Sequence, residues 1–150
     1  MITIGKAELS DVSSIVDFQL LMADETEKLS LNRNVVEKGV STVFSDPNKG
    51  FYLVAREENR VIASLMITYE WSDWRAKTVW WIQSLYVIPE KRRQGIFRRM
   101  FDWLVDRTGQ DESVGGLKLY VDKSNLPAQK VYEDLGFNGE HYRFYEYMKP

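Results

Sequence analysis

The chain contains no cysteine. Disulfides, a thiolate nucleophile and thiolate metal sites are therefore excluded. His141 is the single histidine. A histidine-built metal site fails on that count, no metal is expected, and a thiol- or metal-dependent hydrolase drops out. Neither sign of charge dominates: 20 Lys and Arg stand against 22 Asp and Glu, a net charge of −2. Without a broad positive field, no nucleic-acid partner is expected. No stretch reaches the roughly 18 consecutive apolar residues of a membrane span. The start, Met1-Ile2-Thr3-Ile4-Gly5-Lys6, lacks the apolar core of a signal peptide. No membrane partner and a cytoplasmic location are the resulting expectations. The glycines nowhere spell Gly-x-x-x-x-Gly-Lys-Ser/Thr, so a P-loop nucleotide module is removed too.

What is present is ordinary for a soluble globule. The 150 residues are 44% apolar and 28% charged. That length predicts one domain over 1–150, able to bury about 70% of the surface of its unfolded chain. No repeat or low-complexity tract interrupts it. Strands are predicted at 2–7, 51–56, 61–69, 78–87, 117–121 and 141–148. Glu57-Glu58-Asn59-Arg60 reads as a hairpin turn and Gly115-Gly116 as a break. Ser10 is placed to cap a helix carrying Val12, Ile15, Val16 and Leu20 at helical spacing. A second helix is expected over 33–44, ending before Asp46-Pro47. A third carries Ile96, Met100 and Leu104, and a fourth runs from an Asn125 cap to Leu135, stopped by Gly136. The order βααβββαβαβ is a mixed α/β sheet with helices on both faces.

One stretch carries chemistry: Leu85-Tyr86-Val87-Ile88-Pro89-Glu90-Lys91-Arg92-Arg93-Gln94-Gly95-Ile96-Phe97-Arg98-Arg99-Met100. An apolar strand ends at a proline, a basic turn with one glycine follows, and an amphipathic helix begins. Backbone N–H groups, the positive end of a helix and cationic side chains converge there, which suits a pyrophosphate. Gly95 lets the backbone approach closely.

The pattern Arg92-x-x-Gly95-x-Phe97 resembles the pyrophosphate loop of the GCN5-related N-acetyltransferases, with Phe97 where that pattern has a small residue. Downstream, Asn125-x-x-Ala128-x-x-x-Tyr132-x-x-x-Gly136-Phe137 is similar to a second motif of the same family, in the same order. Together they cover about the C-terminal half of the chain. The resemblance implies the acyl-CoA N-acyltransferase fold, a mixed, mostly antiparallel central sheet flanked by helices on both faces with its central strands splayed. It implies acetyl-CoA as cofactor and acetyl transfer to a primary amine by direct attack.

Roles follow from it residue by residue. Arg92, Arg93, Gln94, Gly95, Ile96 and Phe97 would hold the pyrophosphate. The backbone of Leu85, Tyr86 and Val87 would pair with the pantetheine arm as an added strand. An N–H there would face the thioester carbonyl oxygen. Asn125 and Ala128 would touch the pantetheine. Tyr132 would be the general acid for the departing thiolate, its phenol having a pKa near 10. Gln83 matches the position where many members carry a strand glutamate, so Glu70 becomes the candidate base. Glu25, Glu27, Trp71 and Asp73, with Gln83, form the candidate acceptor side. Carboxylates beside aromatic rings suit a cationic amine. The expected partner is a small-molecule or peptide amine, and a homodimer is in keeping with the family. A non-catalytic acyl-CoA-binding sensor on the same fold is the alternative reading.

Overall fold

Between Phe51 and Val87 the sequence is dense in β-branched and aromatic residues, and the structure, a computed structural model describing all 150 residues, turns it into three consecutive strands. Two compact units emerge, Met1–Lys118 and Leu119–Pro150, and each is described by itself. The first holds one sheet: β1 (Ile2–Lys6), β2 (Phe51–Glu57), β3 (Arg60–Ser72), β4 (Lys77–Val87) and β5 (Val114–Lys118), side by side in that order. The pairings from β1 to β4 are antiparallel and β5 lies parallel to β4, as the mixed, mostly antiparallel expectation required.

Helices cover the two faces. α1 (Val12–Glu27) and α2 (Arg33–Ser45) pack on each other and on the face bearing Tyr52 and Tyr86. The Phe18 ring meets Tyr86 at 5.1 Å and Phe44 stacks on Tyr52 at 5.9 Å. Leu53 alternates to the other face and is fully buried. There α3 (Ile96–Gly109) lies across β1, β2 and β5 with Ile96, Met100 and Leu104 inward, one residue per helical turn.

The start of α1 departs from expectation. Ser10 does not cap it. Leu9–Asp11 forms a 3-10 turn instead, and Glu8 and Asp11 cap each other reciprocally, the Glu8 N–H donating to Asp11 Oδ2 at 2.7 Å. Asp11 is buried because Arg56 on β2 grips it with both guanidinium nitrogens, a service Ser10 could not claim.

Gly115-Gly116 is not a break but part of β5. Thr78 pairs with Val114 and Val79 with Gly116, so Gly115 is an extra residue, and a side chain on it would crowd Lys77 Cβ at 3.3 Å. The strand then stops at Lys118 rather than continuing to Val121.

In the second unit, α4 (Leu126–Asp134) forms where expected. Asn125 Oδ1 accepts from the Ala128 N–H at 3.2 Å, and Gly136, at φ +98°, ends the turn. The strand expected over 141–148 is absent: the segment has no regular structure, and Tyr142, Tyr145 and Tyr147 are exposed. Alternation states which face each residue would take. It cannot state that a partner edge will be offered.

Candidate active site

The site is built where β4 loses its regularity. Met66 faces Gln83 and Ser64 faces Tyr86, so Leu65 alone opposes Ser84 and Leu85. That is a β-bulge in β4, and Ser84 adopts φ +52°, a left-handed conformation unusual for a non-glycine residue. The bulge breaks the ladder and re-aims the backbone at Leu85. The other edge of β4 is also released. Its ladder with β5 ends at the Trp81–Lys118 pair, so 82–87 runs on without a strand on that side of the sheet. The backbone expected to take the pantetheine arm, at Leu85, Tyr86 and Val87, lies in this released stretch.

The loop follows at once. Pro89–Lys91 makes a 3-10 turn, then Arg93 at φ +61° and Gly95 at φ +75° bend the chain into α3. Arg99 is the first residue of the helix start whose N–H is taken, by Gly95 O at 3.1 Å. The N–H groups of Ile96, Phe97 and Arg98 precede the ladder and point outward from the positive helix end. A Cβ built on Gly95 would meet nothing within 4 Å, so open space stands in front of the loop. Phe97 turns its ring along α3 beside Phe101, 6.4 Å between centroids.

The cations here are not equivalent. Lys91 pairs with Glu57 at 2.5 Å and Arg99 donates to Ile2 O at 2.6 Å. Arg92 donates to Val87 O and to Glu25 Oε2, both at 2.8 Å, and lies over the Tyr86 ring. Gln94 Nε2 donates to Glu90 O at 3.0 Å, bracing the loop. Arg93 and Arg98 are exposed and make no ion pair, so they are the cations left for an anion.

Glu25 thus stands against the cofactor strand. Tyr86 Oη donates to its Oε1 at 2.9 Å while Arg92 holds Oε2. The Arg92 hydrogen bond, aided by Tyr86, keeps the Glu25 carboxyl below its ordinary range despite some desolvation. Glu70 is committed in the same way. Lys118 Nζ donates to it at 2.8 Å and Trp81 Nε1 at 3.3 Å, and the Lys118 contact lowers its pKa, which weakens it as a base. Gln83 donates to Thr68 Oγ1 across the β3–β4 pair. Glu27, the last residue of α1, is exposed.

Trp71 and Asp73 lie apart from these. Trp71 pairs with Thr78 at the far end of β4, seven residues before Leu85, or about 23 Å along a strand. Asp73 is exposed in the adjoining turn. The structure therefore brings Glu25, Tyr86, Val87 and Arg92 into one cluster and Glu70 with Trp81 into another, but gathers no common carboxylate pocket. In the second unit, Asn125 and Tyr132 share α4, two turns apart. Burial pushes the Tyr132 phenol above its ordinary pKa, and its ring meets Phe137 at 6.0 Å. Ser84 was not foreseen. The faint signal for it is the polar pair Gln83-Ser84 inside an otherwise apolar strand run.

A strand with a bulge and a released edge, leading into a glycine turn and a helix N-terminus, is an arrangement suited to a ligand with a phosphate group and an extended arm. The comparisons then fix the class. Residues 16–137 match the acetyltransferase (GNAT) family, and the chain belongs to it. Acetyl-CoA is the cofactor of that family. The chain is 40% identical to a possible acetyltransferase from Clostridium difficile 630, with a TM-score of 0.92 over 100% of this chain and 99% of that one. A predicted acetyltransferase from Clostridium acetobutylicum solved with acetyl-CoA shares the fold: TM-score 0.73 at 22% identity, over 97% of this chain and 96% of that one. The catalytic subunit NAA20 of the N-terminal acetyltransferase B complex of Arabidopsis thaliana is 28% identical over 89 residues. That match takes in 58% of this chain and 49% of the relative, so the chain spans about half of the relative's length.

Proposed function

We propose that this chain is an acetyl-CoA-dependent N-acetyltransferase acting on a primary amine. The observation that carries the reading is the bulge at Ser84–Leu85, set on a released strand edge immediately before the Gly95 turn. Acetyl-CoA supplies the activated acetyl group as a thioester. The residues present fit it: the open space before Gly95, the N–H groups of Ile96 to Arg98 and the uncommitted Arg93 and Arg98 suit its pyrophosphate. The backbone of 82–87 suits its amide chain.

The chain's own groups then divide the work. The backbone at Leu85, turned out of the ladder by the bulge, is available to donate to the thioester oxygen as charge builds there. Tyr132 holds the proton needed by the leaving thiolate. A tyrosine phenol is protonated at neutral pH, the state a general acid requires. Glu25 fixes Arg92 and Tyr86 on either side of the loop's entry. Glu70, held by Lys118, accepts a proton from an incoming amine less readily than a free carboxylate.

The test is Gly95→Asp. It places a side chain and a negative charge in the space reserved for phosphate. Calorimetric titration of the variant, with its fold checked by thermal melting, should show acetyl-CoA affinity reduced at least tenfold. Unchanged affinity would remove the loop from the site. Acetyl transfer to any amine by the parent protein separates an enzyme from an acyl-CoA sensor.

A further inference from the structure

A cleft of about 430 Å³ opens on the sheet face beneath α1 and α2. Its size matches a small organic molecule. Val36, Val40 and Val43 of α2 and Tyr52 and Met66 of the sheet make its walls apolar. Met66, one of its lining residues, pairs with Gln83 of β4, whose next residue is Ser84 of the bulge. Thr68, which also lines the cleft, accepts the hydrogen bond from Gln83.

Two polar groups in the lining lack partners. Gln19 Nε2 is turned away from water and has no hydrogen-bond partner, an unfavourable state for a buried donor. Gln19 is itself one of the residues lining the cleft. Lys49 lines the cleft and makes no ion pair. No carboxylate lines the cleft. A polyamine would find no counter-charge there, and an amino sugar would bury hydroxyls against valines.

We infer that the acceptor is a primary amine carried on an apolar side chain and flanked by a carbonyl or carboxylate oxygen, in the manner of a hydrophobic amino acid. The side chain fills the cleft, Gln19 and Lys49 read the oxygen, and the amine faces the bulge of β4. This rests on the acetyltransferase reading for its reaction, but the binding it predicts is measurable without cofactor. In transfer, the amine nitrogen forms a bond to the acetyl carbon and the carbon–sulfur bond breaks. The sulfur takes one proton, and the nitrogen's surplus proton passes to water.

The experiment titrates the cofactor-free protein with phenylalanine, leucine, their C-terminal amides, phenethylamine, spermidine and glucosamine. Binding is followed by NMR shifts at the Met66 and Val40 methyls and by calorimetry. Phenylalanine or leucine, or their amides, should bind at least tenfold more tightly than phenethylamine and spermidine. Preference for the free acid marks a metabolite, and preference for the amide marks a peptide N-terminus. Gln19→Leu should weaken binding roughly five- to fiftyfold. Gly39→Leu should abolish it while raising the melting temperature. The added Cβ meets nothing within 4 Å, leucine favours a helix over glycine, and the longer side chain enters the cleft. Neither variant should change acetyl-CoA affinity, so a failed cofactor site gives a different result from a failed cleft. Equal or tighter binding of spermidine or glucosamine, no binding by any amino-acid ligand, or indifference to Gly39→Leu overturns the inference.

Discussion

Tyr132 carries the most specific chemical assignment. Its hydroxyl is separable from its ring, since phenylalanine keeps the contact with Phe137. Tyr132→Phe should leave acetyl-CoA affinity within about twofold and lower kcat by on the order of ten- to ten-thousandfold, the usual range for a lost general acid. Single-turnover kinetics with saturating amine would show it. A variant that turns over at the parent rate reduces Tyr132 to a packing residue. The carboxylates teach the opposite lesson at this scale. Glu25 looked like a free charge for an incoming cation and Glu70 like a free base, and each instead holds a cation of its own chain. Spacing along the sequence cannot reveal Arg92 beside Glu25, because 67 residues separate them.

Strand β4 is the element on which function depends, and its bulge stores a small strain. Ser84 at φ +52° costs about 1 kcal/mol relative to glycine. Ser84→Gly should therefore be neutral or slightly stabilising. Ser84→Val, whose branched carbon tolerates that conformation poorly, should lose about 1–3 kcal/mol in urea denaturation and weaken acetyl-CoA binding with it. Should Ser84→Val match the parent in both measurements, the bulge is not held by this residue. α3 shows how an element inherits position from its start. Gly95 turns the chain, and Ile96, Met100 and Leu104 then lock the helix over β1, β2 and β5, so the loop sits on a rigid base.

Across the first unit, the ion pair of buried Asp11 and half-buried Arg56 ties the entry of α1 to β2. Burial pushes the Asp11 carboxyl up, but the Arg56 hydrogen bonds and the Glu8 N–H pull it further down, leaving it below its ordinary value. A depressed carboxylate pKa gives stability that is complete above the unfolded value of about 3.9 and lost as pH falls through the folded one. Urea midpoints should therefore decline between about pH 5 and pH 2. Asp11→Asn should cost about 2–4 kcal/mol at pH 7, since it strands Arg56, and should flatten that decline. An unaltered acid slope in Asp11→Asn would show that other carboxylates govern it.

The sequence by itself determined the strands at 51–87, the helices after Gly95 and Asn125, and the family, through two motifs whose residues are contiguous or one helix turn apart. Local spacing can encode these because a turn, a cap and a helix face are made by neighbours. Tertiary structure alone decided the rest. It put the bulge at Ser84, since a bulge exists only relative to the partner strand β3. It carried β5 through Gly115-Gly116 and left 141–148 without a strand, because pairing is a property of two edges rather than of one segment's alternation. It gave Glu25 to Arg92 and Glu70 to Lys118, and gathered Gln19, Lys49 and Met66 around one cleft. Those contacts join residues distant in the chain, and only packing brings them within reach of each other.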